Sequence, residues 1–220
     1  MSVRLVIAVT MLVGLCACAA PPPRLAAPPP PPAPLLDPDA ACLKDLRDSR
    51  VAFEPALEFN TGGSCGVVNP VRVSGDWNKA GVVSCQMART VVRFEAEVVQ
   101  PLAMRHFGQP VKRLNHMGTY DCRTQRNGTK AAAAKKGSTG GRLSEHSKGQ
   151  AIDLGGFELA DGTVVSVKKD WNGAGAKSAF LQAVAQASCQ TFNVVLTPNH
   201  DRLHQDHLHL DIGPHKLCGY

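Results

Sequence analysis

Six cysteines punctuate the stretch from Ala40 to Tyr220: Cys42, Cys65, Cys85, Cys122, Cys189 and Cys218. Their number is even, their spacings are irregular, and no two form the C-x-x-C pair that zinc–thiolate sites use. In an exported chain this pattern predicts disulfides, which tie distant segments into one framework. The sequence does not choose among the possible pairings. Only 5% of the residues are aromatic. A core built here has few of the largest apolar side chains, so bridges contributing about 2–4 kcal/mol each matter to it.

Export is predicted by the start of the chain. Arg4 is followed by an apolar run from Leu5 to Leu15. That run is too short to span a bilayer as a helix and fits the apolar part of a signal peptide. Leu15-Cys16-Ala17-Cys18 resembles the lipobox of bacterial lipoproteins, which implies cleavage after residue 17 and a lipid on Cys18. The alternative is an ordinary signal cleaved after Ala20. The following PPPRLAAPPPPPAPLLDPD is too rich in proline for helix or sheet and predicts an extended, semi-rigid spacer. The expected plan is a signal peptide over 1–17, a proline-rich linker over 18–39 and one folded domain over 40–220, long enough for a single core. The expected location is the periplasm or cell envelope, with the chain held on a membrane through its lipid.

The formal net charge is +6 and the isoelectric point is near 9.0. The charges are dispersed, and no aromatic residues alternate with them as stacking platforms, so no nucleic-acid partner is expected. Weak attraction to the carboxylates of a cell-wall polymer is compatible with this balance.

Periodicity gives an α+β reading. A short helix is expected over 41–51, and a turn followed by a strand over 65–73. Met87, Val91, Val92, Phe94, Val98 and Val99 recur at helical spacing, predicting a long helix from Val83 to His106 that Pro101 must kink or restart. Val111–Tyr120 reads as a strand and Arg126–Arg142 as a loop. Ala151–Leu154 is a short strand. Phe157–Leu159 and Thr163–Val167 flank Ala160-Asp-Gly as a hairpin. A helix is expected over 176–189, with Phe180, Leu181, Val184 and Ala185 facing the core. Strands are expected over 193–197 and 206–212, with a loop over 198–205 between them. The fold class expected is α+β: a small antiparallel sheet carrying a His/Asp site, with flanking helices and disulfides.

Two short stretches concentrate the chemistry. They are SEHSKGQAIDLGGF, from Ser144, and HQDHLHLDIG, from His204; five of the eight histidines lie in or beside them. His207 and His209 fall on one face of a strand. Two imidazoles and one carboxylate, drawn from His146, Asp153 and this pair, would hold a zinc ion and leave one position open. Gly149 and Ala151 are small enough for a tight approach to the site. The H-E-x-x-H helix of many zinc proteases is absent, so any such site uses another scaffold. A lone H-x-H on a strand is a weak signal; its joint occurrence with Ser-x-His-x-x-Gly-x-Ala-x-Asp is not.

Ser144-Glu-His146-Ser-Lys-Gly149-Gln-Ala151-Ile-Asp153, followed by Asp206-His-Leu-His209, resembles the zinc peptidases that cut D-alanyl-D-alanine or peptidoglycan stem peptides. Hedgehog-type domains are structurally related to these. More closely, the span from Cys42 to Cys218 resembles the bacterial extensin-like C-terminal domain family. The marks are Tyr120-Asp-Cys122-Arg123, Leu143-Ser-Glu-His146, Gly156-Phe157, Phe180-Leu181, Cys189-Gln-Thr-Phe192 and His207-Leu-His209-Leu-Asp211.

The resemblance implies Zn2+ held by His146, Asp153 and His209. It implies that Arg123 steadies the carbonyl oxygen as it becomes an oxyanion. It implies that Asp206 shuttles the proton between water and leaving amine. Strict strand alternation turns Asp206 away from His209 unless the strand begins after it or bulges; otherwise His207 is the better base or oxyanion contact. Ser144 would orient His146 or touch substrate, and Asp211 would hold a ligand imidazole. His204 is a candidate for the outer shell. His106, His116, His200 and His215 read as ordinary surface or core histidines.

The activity expected is hydrolysis of peptidoglycan stem peptides or cross-bridges. Its rivals are a non-catalytic wall-binding module with a structural zinc and a metal-free structural envelope protein. A metal-dependent nuclease lacks the basic phosphate grip.

Overall fold

The computed structural model describes residues 38–49, 51–60, 65–125 and 142–219. The expected signal peptide, Cys18, most of the proline-rich linker and all but Arg142 of the loop expected over 126–142 lie outside the described residues. No helix among the described residues is long and apolar enough to cross a membrane.

Helix α1 (Pro38–Asp48) opens the described chain, three residues earlier than the pattern predicts. Strands β1 (Phe53–Pro55), β4 (Pro70–Val73) and β5 (Gly81–Ser84) form one antiparallel sheet, and β2 (Phe59–Asn60) pairs with β3 (Gly66–Val67). The expected long helix is real but begins later. Val83 and Ser84 belong to β5, and the Ser84 hydroxyl caps α2 (Cys85–Phe94) by accepting from the Met87 N–H at 3.2 Å. After α2 the chain widens into a π-helical segment, Glu95–Val99, and resumes as α3 (Gln100–Phe107), with Pro101 in its first turn. Pro101 has no N–H to give and its ring crowds the preceding turn. The π segment absorbs this, with the Gln100 N–H reaching back to Glu95 O. The expected kink at Pro101 is therefore a change of helix type.

The second sheet runs in the order β11–β9–β10–β7–β6, with β8 also on β7. Its strands are β6 (Val111–Gly118), β7 (Ala151–Leu159), β8 (Val164–Ser166), β9 (Val194–Leu196), β10 (Leu208–Asp211) and β11 (Leu217–Gly219). Every pairing is antiparallel except β11 on β9. Of the short elements that periodicity did not separate, α4 (Val167–Asp170) precedes α5 (Ala176–Thr191) and β11 closes the described chain. The two strands expected at 151–154 and 157–159 are one. Asn115 pairs with Gly156 and His116 with Leu154, so Gly155 is an extra residue in a bulge. The bulge shifts the in/out phase: Ile152 and Leu154 face the core before it, Phe157 and Leu159 after it. The expected hairpin forms, with Glu158 opposite Val164 and Gly162 at φ +85° in its turn.

One face of this sheet packs on helices. Met87, Val91 and Phe94 of α2 and Phe180, Leu181 and Val184 of α5 join Ile152, Leu154, Val195, Leu208 and Leu210 in a single buried cluster. Phe180 meets Phe157, and Phe94 meets Phe192, edge to face at 5.2 Å. All six expected cysteines are bridged: Cys42–Cys85, Cys65–Cys122 and Cys189–Cys218. Because residues alternate along a strand, the neighbours of these core side chains project from the opposite face.

Candidate metal centre

On that opposite face β7 carries Asp153 and β10 carries His209, and the two are directly opposite in the ladder. His146 arrives from a 3₁₀ turn, Glu145–Lys148, that leads into β7. Two bonds close the turn: Ser147 N–H to Ser144 O at 2.9 Å and Gly149 N–H to His146 O at 3.1 Å. Gly149 ends it at φ +64°, where a side chain is strained. A Cβ there would lie 2.8 Å from Val67 Cγ1 and 2.9 Å from Ser84 N. The smallness of Gly149 thus seats the turn against β3 and β5 rather than opening the site itself.

The three side chains converge. His146 Nε2 is 3.1 Å from Asp153 Oδ1 and 3.2 Å from His209 Nδ1, and His209 Nδ1 is 3.0 Å from the same carboxylate oxygen. One ligand atom from each lies within 4.8 Å of the others, a group able to hold a metal ion. The far side of each ring is pinned. His146 Nδ1 faces Thr119 O, and His209 Nε2 faces Asp211 Oδ2 at 3.2 Å. Carbonyl and carboxylate oxygens only accept, so the outer nitrogens carry the hydrogens and neutral rings turn lone pairs to the centre.

Around the centre lies a cleft of about 900 Å³, lined by Asp153 and His209 and also by Arg123, Ser144, His204 and His207. His207 directs Nε2 toward Asp153 Oδ1, at 3.5 Å, while its Nδ1 is 2.8 Å from Asp206 Oδ1. Asp206 precedes β10 in a turn, is 38% exposed and is not part of the cleft lining. The strand expected from residue 206 starts at Leu208, so alternation no longer governs Asp206. Arg123 has its Nε 3.0 Å from Asp121 Oδ2. Its carbonyl accepts the Ser144 N–H at 3.0 Å, joining the two chain segments that form this wall.

The family model described as the extensin-like protein C-terminus matches residues 40–219. The chain belongs to the extensin-like C-terminal family. Searches of curated proteins and of solved structures gave no match. The family match spans every residue of the centre and of the cleft around it.

Electrostatics bind the centre of this extensin-like domain together. Burial alone would raise the Asp153 carboxyl; hydrogen bonds and charge from His146 and His209 outweigh it and hold the group well below the usual carboxylate range. Burial alone would lower His209; its bonds to Asp153 and Asp211 push it up to about 9. A carboxylate and two inward-facing imidazole nitrogens need a positive charge between them, and a proton or a metal ion can supply it.

Asp201 joins the surroundings of the site although the sequence did not single it out. Asp201 Oδ1 lies 2.7 Å from His204 Nδ1 and orients that ring, whose centroid is 5.2 Å from that of His207. The i, i+3 spacing of Asp201 and His204 was the available signal. His200 and His215, expected to be ordinary, line the cleft, as does the buried Glu145. His116 is a core histidine with Nε2 2.9 Å from Lys79 O, and His106 packs on Phe180.

Proposed function

We propose that this extensin-like domain is a zinc-dependent hydrolase of peptidoglycan peptide bonds, of the D,D-carboxypeptidase or endopeptidase type, in the bacterial cell envelope. The observation that carries the reading is the convergence of His146 Nε2, Asp153 Oδ1 and His209 Nδ1 beside an open cleft, each imidazole braced from behind. Two imidazoles and a carboxylate suit zinc better than calcium or magnesium, which take oxygen ligands. The likeness of the Ser144–Asp153 and Asp206–His209 motifs to zinc D,D-peptidases supports the same chemistry. Export and attachment through Cys18 rest on the leader sequence.

His146, Asp153 and His209 would hold the ion. Bound zinc would supply Lewis-acid chemistry, acidifying water and polarising the scissile carbonyl. His207 is the side chain best placed to move the proton: Asp206 fixes its Nδ1–H, and Nε2 faces the cleft as an acceptor. It would take a proton from the attacking water and return it to the leaving amine. Arg123, steadied by Asp121, would hold the carbonyl oxygen as negative charge develops. Ser144 would contact the substrate along the same wall.

One observation favours a second reading. His207 Nε2 is 3.5 Å from Asp153 Oδ1, near enough to become a fourth ligand. A closed four-ligand site would be structural, and the domain a non-catalytic wall-binding module.

The test is metal content by plasma mass spectrometry on the oxidised protein and its His146→Ala variant, followed by digestion of cross-linked muropeptides. The hydrolase reading expects about one zinc per chain, lost in the variant, together with cleavage that depends on the metal. Stoichiometric zinc without cleavage selects the binding module. No zinc, even after refolding with the metal offered, removes both.

A further inference from the structure

The fixed charges of the cleft, four acids and four cations, are unevenly engaged. Its four acids are already engaged: Asp153 by His146 and His209, Asp211 by His209 and the Gly213 N–H, Glu145 by Lys148 at 3.2 Å, and Asp201 by His204. Of its four fixed cations, Arg123 has Asp121. Arg142, Arg202 and Lys216 line the cleft, and their side chains have no ion-pair or hydrogen-bond partner among the described residues. All three are exposed. The side chains left without a partner are all cations, and a bound divalent ion would make the cleft net positive. Such a cleft favours an anionic ligand.

A second feature says which kind. In the sheet register Leu196 lies opposite His209 and Val194 opposite Asp211, while Leu217 of β11 lies beside Val194. Directly paired residues project from the same face. The face that bears the candidate ligands therefore continues toward the β11 edge as an apolar strip of Leu196, Val194 and Leu217, the last 47% exposed. A phosphate polymer has nothing to cover such a strip. A peptide does.

We infer that the cleft selects peptides with free carboxylates, held by Arg142, Arg202 and Lys216, and seats an apolar side chain of the same peptide over Val194, Leu196 and Leu217. The inference rests on the peptide-hydrolase reading and narrows its substrate class. Hydrolysis itself is unchanged: water adds across one amide and yields one carboxylate and one amine.

The test uses the zinc-loaded full protein and two cross-linked muropeptides that differ only in having side-chain carboxylates free or converted to carboxamides. The free form is expected to show kcat/KM about fivefold higher, mainly through KM, with the advantage shrinking as salt is raised. In an Arg142→Gln/Lys216→Gln variant with unchanged zinc content the ratio is expected to fall toward one. Equal rates for both peptides in the wild type overturn this inference and leave the hydrolase reading intact. Inhibition by polyglycerol phosphate, with no preference for free carboxylates, overturns it in favour of a phosphate ligand. Cleavage of neither peptide removes the hydrolase reading and this inference with it.

Discussion

Asp206 stands behind His207: its Oδ1 is 2.8 Å from the Nδ1 of that ring, whose Nε2 is turned to Asp153 at 3.5 Å. A carboxylate in this position fixes the tautomer and leaves the inner nitrogen free to accept a proton. His207→Ala is expected to lower kcat on muropeptides by about a hundredfold or more with little change in zinc content. Asp206→Ala is expected to lose less, because it removes only the support. If Asp206→Ala proved the more damaging, Asp206 itself would be the base.

Asp211 acts on the centre through His209, whose Nε2–H it accepts. Asp211→Asn is expected to weaken zinc binding by about 10- to 100-fold while the fold survives. Competition with a chromogenic chelator reads the affinity, and far-ultraviolet circular dichroism checks the fold. Unchanged affinity would mean that the ring is held by its neighbours alone.

The metal-free protein should have a particular pH dependence. His209 rises from its ordinary 6.5 to about 9 in the folded state, so the folded state binds its proton more tightly than the unfolded chain does. Its contribution to stability is complete below about 6.5 and is lost as pH climbs through about 9. Asp153 is shifted down, so its contribution is present above the ordinary carboxylate value and fades as the medium is acidified. The Tm of chelator-treated protein should therefore fall between about pH 6.5 and 9. Zinc-loaded protein should resist that fall, since binding displaces the proton. Parallel Tm curves for the two forms would show that the metal does not occupy this cluster.

Gly149 offers a steric test. Gly149→Ala forces a side chain into φ +64° and against Val67 and the Ser84 backbone; a loss of about 1–3 kcal/mol is expected, with weaker zinc binding as the His146 turn shifts. Gly162→Ala is the control. It shares a positive φ, +85°, but a Cβ there meets nothing within 4 Å. It should lower Tm without touching zinc affinity.

The α+β class, the helical core stripe over Phe180, Leu181, Val184 and Ala185, and the Asp161-Gly162 hairpin could all be read from residue pattern, because each depends on local periodicity or turn chemistry. The pattern also marked His146, Asp153 and the His207/His209 pair, but the choice of His209 as the third ligand came from the family resemblance. What could not be read depends on partners distant in the chain. The Gly155 bulge exists only against β6, so one strand read as two. Val83 and Ser84 read as the start of the helix, and their place in a strand shows only once β4 is beside them. The side of His207 that faces the centre is set by a turn that ends one residue before it, and period-two reasoning cannot see such a boundary. The elements β1, β2, β3, α4 and β11 are too short to carry a period at all.

The bridges have a consequence for where the site is secured. Asp153 and His209 are held by ladder hydrogen bonds, but the surroundings are secured covalently: Cys65–Cys122 anchors the segment next to Arg123, and Cys189–Cys218 anchors the edge strand that carries Leu217. In a chain with free thiols those walls would be held by packing and hydrogen bonds alone. On the proposed reading the cleft is secured in full only in an oxidising compartment, which is where the leader sequence would send the chain.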